Sequence, residues 1–129
     1  MTWMDKVQRL ERLVQRAPSA HNTQPWTLSY GPDRIDVGWD PAASLPAADP
    51  TRRDLFLSLG AFVETCLIAA AGAGLRVAAD GLRLVPSASP YATPFTAADI
   101  EARRCARGRY APGGLPAEVL GALEPGLCH

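Results

Sequence analysis

Trp3, Val7, Leu10 and Val14 recur at helical spacing with Leu13 beside them, while Asp5, Lys6, Arg9, Glu11 and Arg12 take most of the remaining circumference. That pattern predicts an amphipathic first helix. Pro18 should end it, because the residue before a proline is pushed out of the helical region. Trp26, Leu28 and Tyr30 then alternate with Thr27 and Ser29, and Ile35, Val37 and Trp39 alternate with Asp36 and Gly38. With Gly31, Pro32 and Asp33 between the two runs, they predict two strands joined by a tight turn.

A proline- and alanine-rich loop follows, and a long helix is expected to begin near residues 49–51 and run to Gly72 or Gly74. Asp49 or Thr51 would cap it, with Pro50 in its first turn. Leu55, Leu59, Phe62, Cys66, Ala69 and Ala73 form one face of this helix. Phe56, Val63, Leu67 and Ala70 form another, so apolar groups surround much of it. Such a helix belongs at the centre of a core or in an interface with a partner subunit. The stretch around Asp80 and Gly81 reads as one short strand or two. Two helical pieces close the chain, one capped by Thr96 with Asp99 in its first turn and continuing through the arginines near residue 107. The other has Pro116 in its first turn and Val119, Leu120 and Leu123 as its short apolar set. Few apolar residues lie in this last part.

Helix, hairpin, long buried helix, strand and helices make an α+β pattern, with a small antiparallel or mixed sheet packed on the central helix. The 129 residues suffice for one domain. The formal net charge of +0 provides no overall field toward nucleic acid or an anionic membrane, so any anion site must be local. Cys66, Cys105 and Cys128 are odd in number and lack metal-binding spacing, which reads as free thiols in a reducing, cytoplasmic setting. His129 is terminal, leaving His21 as the internal histidine. No secretory leader is visible at the N-terminus. Residues 55–75 are long enough for a bilayer, but Glu64 near the middle would oppose insertion by about 2.5–3.5 kcal/mol. A buried helix of a soluble protein is the expectation.

Between the first helix and the hairpin lies APSAHNTQPW, which gathers Pro18, Ser19, His21, Asn22, Gln24 and Trp26. Irregular backbone needs hydrogen-bond partners outside a helix ladder. Ser19 and Asn22 could supply them locally and hold a tight connector. Alternatively, Ser19, Asn22 and Gln24 could address the edge of a planar heteroaromatic ligand, since side-chain amides offer both donors and acceptors. Arg103, Arg104 and Arg107 are either a solvated charged face or a phosphate grip, with residues 103 and 107 on one face if the helix persists.

APSAHNTQPWTL resembles the segment that follows the first helix in the nitroreductase superfamily, most closely its Acg-like branch. Asp49, Pro50, Arg53, Ser58, Gly60 and Ala61 are similar to the entry of that branch's long central helix, and RRCARGRY is similar to its arginine cluster. Cys105 stands where that cluster leads one to expect a polar residue. The resemblance implies a nitroreductase-like half-domain over residues 1–95 and the start of a second half over residues 96–129. It implies flavin mononucleotide (FMN), with Pro18, Ser19, His21, Asn22 and Gln24 along the isoalloxazine and Arg103, Arg104 and Arg107 at the phosphate. No side chain need act as nucleophile or acid, because the flavin carries the redox chemistry. The implied activity is electron transfer from NAD(P)H to a nitroaromatic or quinone-like acceptor. The implied assembly is a homodimer through the helix around residues 55–75, which would complete the site of a chain shorter than the fused members. A non-catalytic FMN-binding or storage protein, or an inactive truncated interaction remnant, are the alternatives.

Overall fold

The computed structural model describes residues 1–127, so Cys128 and His129 lie outside the described residues. The first helix forms in two pieces, α1 (Trp3–Gln8) and α2 (Glu11–Val14). Thr2 and Asp5 make a capping box at its start: the Thr2 hydroxyl accepts from the Asp5 amide and the Asp5 carboxylate from the Thr2 amide. Arg9 and Leu10 keep helical dihedrals across the break, so the apolar stripe carries on from one piece to the next. Strands β1 (Trp26–Tyr30) and β2 (Ile35–Trp39) pair antiparallel in the register Trp26 to Trp39 and Tyr30 to Ile35. The turn between them is closed by the Gly31 amide donating to the Arg34 carbonyl at 2.8 Å.

Helix α3 (Arg53–Gly72) is the centre of the molecule. Its N-cap is Arg52, in a left-handed conformation, instead of an acid or hydroxyl residue. Asp49 still serves the helix end, because its carboxylate accepts from the Leu55 amide at 2.9 Å. At the other end Gly74, with φ +70°, allows the Leu75 amide to reach the Ala70 carbonyl at 2.8 Å while its own amide reaches Ala71 at 3.0 Å. This closes two orphan carbonyls of the last turn. The following stretch forms two strands, β3 (Val77–Asp80) and β4 (Arg83–Pro86). The sheet is fully antiparallel, in the order β1-β2-β4-β3.

One face of the sheet carries Trp26, Leu28, Ile35, Val37, Leu84 and Val77 toward α3, where Leu59, Phe62 and Cys66 meet them. Phe62 is fully buried and stacks on the Trp26 ring, with centroids 4.6 Å apart and planes 19° from parallel. The other face is polar, with Asp36 accepting from Arg83 at 2.7 Å and from Arg34 at 3.1 Å. The Arg83 hydrogen bond, and then that of Arg34, lowers the Asp36 pKa. By length and composition α3 could cross a bilayer, and 61% of its most apolar window is buried within this fold. Glu64 lies at the surface, where its carboxylate accepts from the Tyr91 hydroxyl at 2.9 Å. The apolar coat is incomplete at the N-terminal half of α3, where Phe56 and Leu57 remain 49% and 61% exposed.

Helix α4 (Ala97–Ala102) starts in a second capping box, made by Thr96 and Asp99, and packs against α2 and α3 through Ile100. It ends at Ala102, so Arg103 and Arg107 do not share a helical face. Backbone at Arg103 is extended, with φ −55° and ψ 131°. Residues 101–123 are exposed throughout, including the apolar side chains of Val119, Leu120 and Leu123 on α5 (Ala117–Leu127). The shortage of core-forming residues here leaves the segment with little to pack against.

Candidate functional site

Residues 18–25 leave α2 with Pro18 and enter β1 with Pro25, both of which bar helix continuation. Between them the chain makes a single 3₁₀ turn, Ala20–Asn22. His21, Asn22 and Gln24 all take positive φ, at 50°, 53° and 47°. A non-glycine residue in that region carries roughly 1–3 kcal/mol of strain, which the surroundings must offset. Three within four positions make this the most strained run among the described residues, whose remaining positive-φ non-glycine residue is Arg52.

The braces are visible. The Ala20 amide donates to the Ser58 hydroxyl of α3 at 3.1 Å, and that hydroxyl donates to the Asp54 carbonyl at 2.7 Å. The Gln24 amide donates to the Ser19 hydroxyl at 3.0 Å, and the Asn22 amide to the Ser19 carbonyl at 3.0 Å. The Gln24 side chain donates to the Gln15 carbonyl at 3.1 Å, which ties the loop to the end of α2. Among the described residues, neither the His21 imidazole nor the Asn22 amide group has a hydrogen-bond partner, and both residues are exposed.

Pro18 and Ser19, with Ala20, form one wall of a cleft of about 380 Å³ whose other wall is Asp54, Leu57, Ser58 and Ala61 on α3. Ser58 and Ala61 are the small side chains of that wall, beside the exposed Leu57. The volume falls within the usual range for small-molecule clefts. Gln24 lies instead in a second cleft of about 470 Å³, between α2 and β1, together with Glu11, Gln15, Trp26 and Tyr30. There the Tyr30 hydroxyl donates to the Glu11 carboxylate. Burial first, then that hydrogen bond, raises the Tyr30 pKa. Cys66, beneath the same region, is pushed up to about 12 by burial, so it packs as a neutral thiol.

The arginines occupy a third place. Arg103 donates to the Arg16 carbonyl at 2.8 Å, only two residues before Pro18, and so brings the end of α4 against the start of the loop. Arg104 donates to the Glu101 and Arg103 carbonyls at 2.6 Å and 2.8 Å. Arg107 lies in the exposed stretch beyond α4. The structure therefore puts Pro18 and Ser19 in one cleft, Gln24 in another and Arg104 in a groove beside Arg16, with no lining residue shared among the three. Sequence reasoning left out Asp54, Leu57 and Ser58 as site residues. The available signal was Ser58, a lone hydroxyl on an otherwise apolar stretch of helix, one residue from the most buried stripe.

Over 70 residues, 54% of its length, the chain is 37% identical to two proteins of Mycobacterium tuberculosis. They are "Putative NAD(P)H nitroreductase MT3217" (strain CDC 1551 / Oshkosh) and "Putative NAD(P)H nitroreductase Rv3131" (strain ATCC 25618 / H37Rv). That similarity supports nitroreductase kinship. The match covers 20% of each relative, so the chain corresponds to about a fifth of their length. No family model and no solved structure matches the chain. Among the described residues there is no group of three or more His, Cys, Asp or Glu side chains placed to hold a metal.

Proposed function

We infer that the chain forms part of a nitroreductase-like, FMN-dependent oxidoreductase that takes electrons from NAD(P)H to a nitroaromatic or quinone-like acceptor. One observation carries this reading: the strained backbone is concentrated at His21, Asn22 and Gln24, directly after the Pro18–Ser19–Ala20 wall of a cleft against α3. Strain of this kind persists where a site needs it. The residues present fit a flavin. Leu57, Ala61 and Pro18 offer an apolar surface to a planar ring, and the His21 and Asn22 side chains are available for its polar edge. When bound, the flavin supplies hydride acceptance and electron transfer. Pro18, Ser19, His21 and Asn22 would position the ring and Arg103 and Arg107 would meet the phosphate, whereas Gln24 and Arg104 lie in other clefts. The guanidinium fork suits that anion.

A homodimer through the exposed N-terminal half of α3, at Phe56 and Leu57, belongs to the same reading, as does a cytoplasmic location. The match to the relatives' NAD(P)H-linked names motivates the electron donor. A second reading is favoured by the bonds of Ser19 and Gln24 to nearby backbone: the loop is a structural connector. Incubation of the purified chain with FMN, followed by desalting, separates the two. Retained flavin absorbance that is bleached by NADH or NADPH, and restored by a nitroaromatic, supports the oxidoreductase. A colourless protein that quenches no flavin fluorescence in titration overturns it in favour of the connector.

A further inference from the structure

Positions 9, 12 and 16 are three and four apart, and the backbone stays helical through Arg9 and Leu10. Helical spacing stacks such positions on one face. Their arginines and Leu13 line a groove of about 640 Å³ together with Glu101 of α4 and Arg104 just after it. Four guanidiniums thus face one carboxylate in a chain whose formal net charge is +0. Two of the four are held in place by main chain. Arg16 donates to the Glu101 carbonyl at 2.8 Å, and Arg104 donates to the same carbonyl at 2.6 Å. Each keeps further N–H groups for a ligand, because a guanidinium has five. Four cations against one carboxylate exceed the roughly −1.5 to −2 charge of one phosphate group and suit two joined in line.

We propose that this groove between α1–α2 and α4 binds an anion carrying a diphosphate group, at a place separate from the loop cleft. The site stands on its own charge and geometry and does not depend on the flavin reading. Guanidinium forks and phosphoryl oxygens pair through charge-assisted, often bidentate hydrogen bonds. Arg16 and Arg104 supply fixed donors, and Arg9 and Arg12 close on the ligand from the exposed wall. Glu101 opposes binding.

Calorimetric titration of the full chain with inorganic pyrophosphate at low salt tests the site. The expected result is saturable binding, weakened about tenfold in Arg9→Gln and in Arg12→Gln, as loss of a hydrogen bond to a charged group predicts. Glu101→Gln tightens it, so one variant gains affinity while the others lose it, and melting curves verify that all three fold. Raising salt from about 0.05 M to about 0.5 M weakens binding, because screening shortens the reach of exposed charges. A parallel titration with adenosine diphosphate identifies the source: tighter binding than pyrophosphate assigns the site to a nucleotide, and equal binding assigns it to the free diphosphate. Absence of saturable heat, or affinities unchanged in all three variants, overturns the proposal. So does loss of pyrophosphate binding on saturation with FMN, since the groove would then be part of the flavin site. A chain that takes up no FMN yet binds pyrophosphate keeps this site and loses only the flavin reading.

Discussion

Residues 18–25 and residues 103–110 are both polar stretches that follow a short helix, yet the protein holds them in opposite ways. The first is pinned. Its amides reach Ser58 on α3 and its own Ser19, and Pro25 is buried at the entrance to the sheet. The second is exposed along its whole length, and its arginines turn back onto carbonyls at the ends of α2 and α4. The difference lies in what each stretch adjoins. The loop is braced on Ser58 of α3 and runs through buried Pro25 into Trp26, whose ring stacks on Phe62, so strained dihedrals can be offset by core packing. The arginine segment has no such platform, and its described hydrogen bonds are exposed ones to the Arg16, Glu101 and Arg103 carbonyls and the Cys105 sulfur. Richness in polar residues therefore says little about order until the underlying core is known.

Phe62→Ala removes the ring under Trp26 and should lower stability by about 3–5 kcal/mol in urea denaturation. A loss below about 1 kcal/mol would show that the stack contributes little to the core. Ser58→Ala takes away the hydroxyl that accepts from the Ala20 amide and should destabilise by about 1–3 kcal/mol, since a partly buried donor is left without a partner. Faster amide exchange at residues 20–24, with the sheet unchanged, is the accompanying sign.

Alkaline pH probes the core apart from either segment. Burial raises the Cys66 thiol from its ordinary 9.0 to about 12, so the folded state holds that proton more tightly than the unfolded state does. The stabilising effect is complete below pH 9 and fades as pH climbs toward 12, by about 1.4 kcal/mol per pH unit. Burial of Tyr30 acts with the same sign above pH 10. Cys66→Val should flatten the lower part of that slope, and an unchanged slope in the variant would assign it elsewhere.

Smaller effects sharpen the contrast between the two stretches. His21→Gly relieves a positive φ and should raise stability by about 1 kcal/mol, after the greater freedom of glycine in the unfolded chain is subtracted. If the strain serves flavin binding, the same variant holds FMN less well. Arg103→Ala loses exposed hydrogen bonds to the Arg16 carbonyl and the Cys105 sulfur and should cost about 0.5–1 kcal/mol, with no change in exchange at residues 20–24. A larger loss there would mean that the arginine segment braces the loop after all.

Much of the fold can be read from local pattern. Alternation placed β1 and β2, the Thr96–Asp99 pair marked the start of α4, and the all-round apolar run predicted α3 as the central helix. Each of these signals lies within a few residues of chain. The end of α4 was less legible, because residues 103–107 have acceptable helix-forming side chains and only the lack of a packing surface releases them. The candidate site was legible in part. Its polar loop stands out by composition, whereas the opposing wall, Asp54, Leu57, Ser58 and Ala61, lies more than thirty residues away and joins it only when α3 docks.

The sequence by itself determined the α+β order, the central helix and the crowded polar bend after the first helix, since periodicity, proline and capping residues act over short range. Tertiary structure alone decided which bend residues share a cleft, which guanidiniums are tied to carbonyls and which arginines gather in a groove. Those outcomes depend on how α2, α3 and α4 pack, and side-chain pairing across packed helices is set by their separation and crossing in space, which no local pattern encodes.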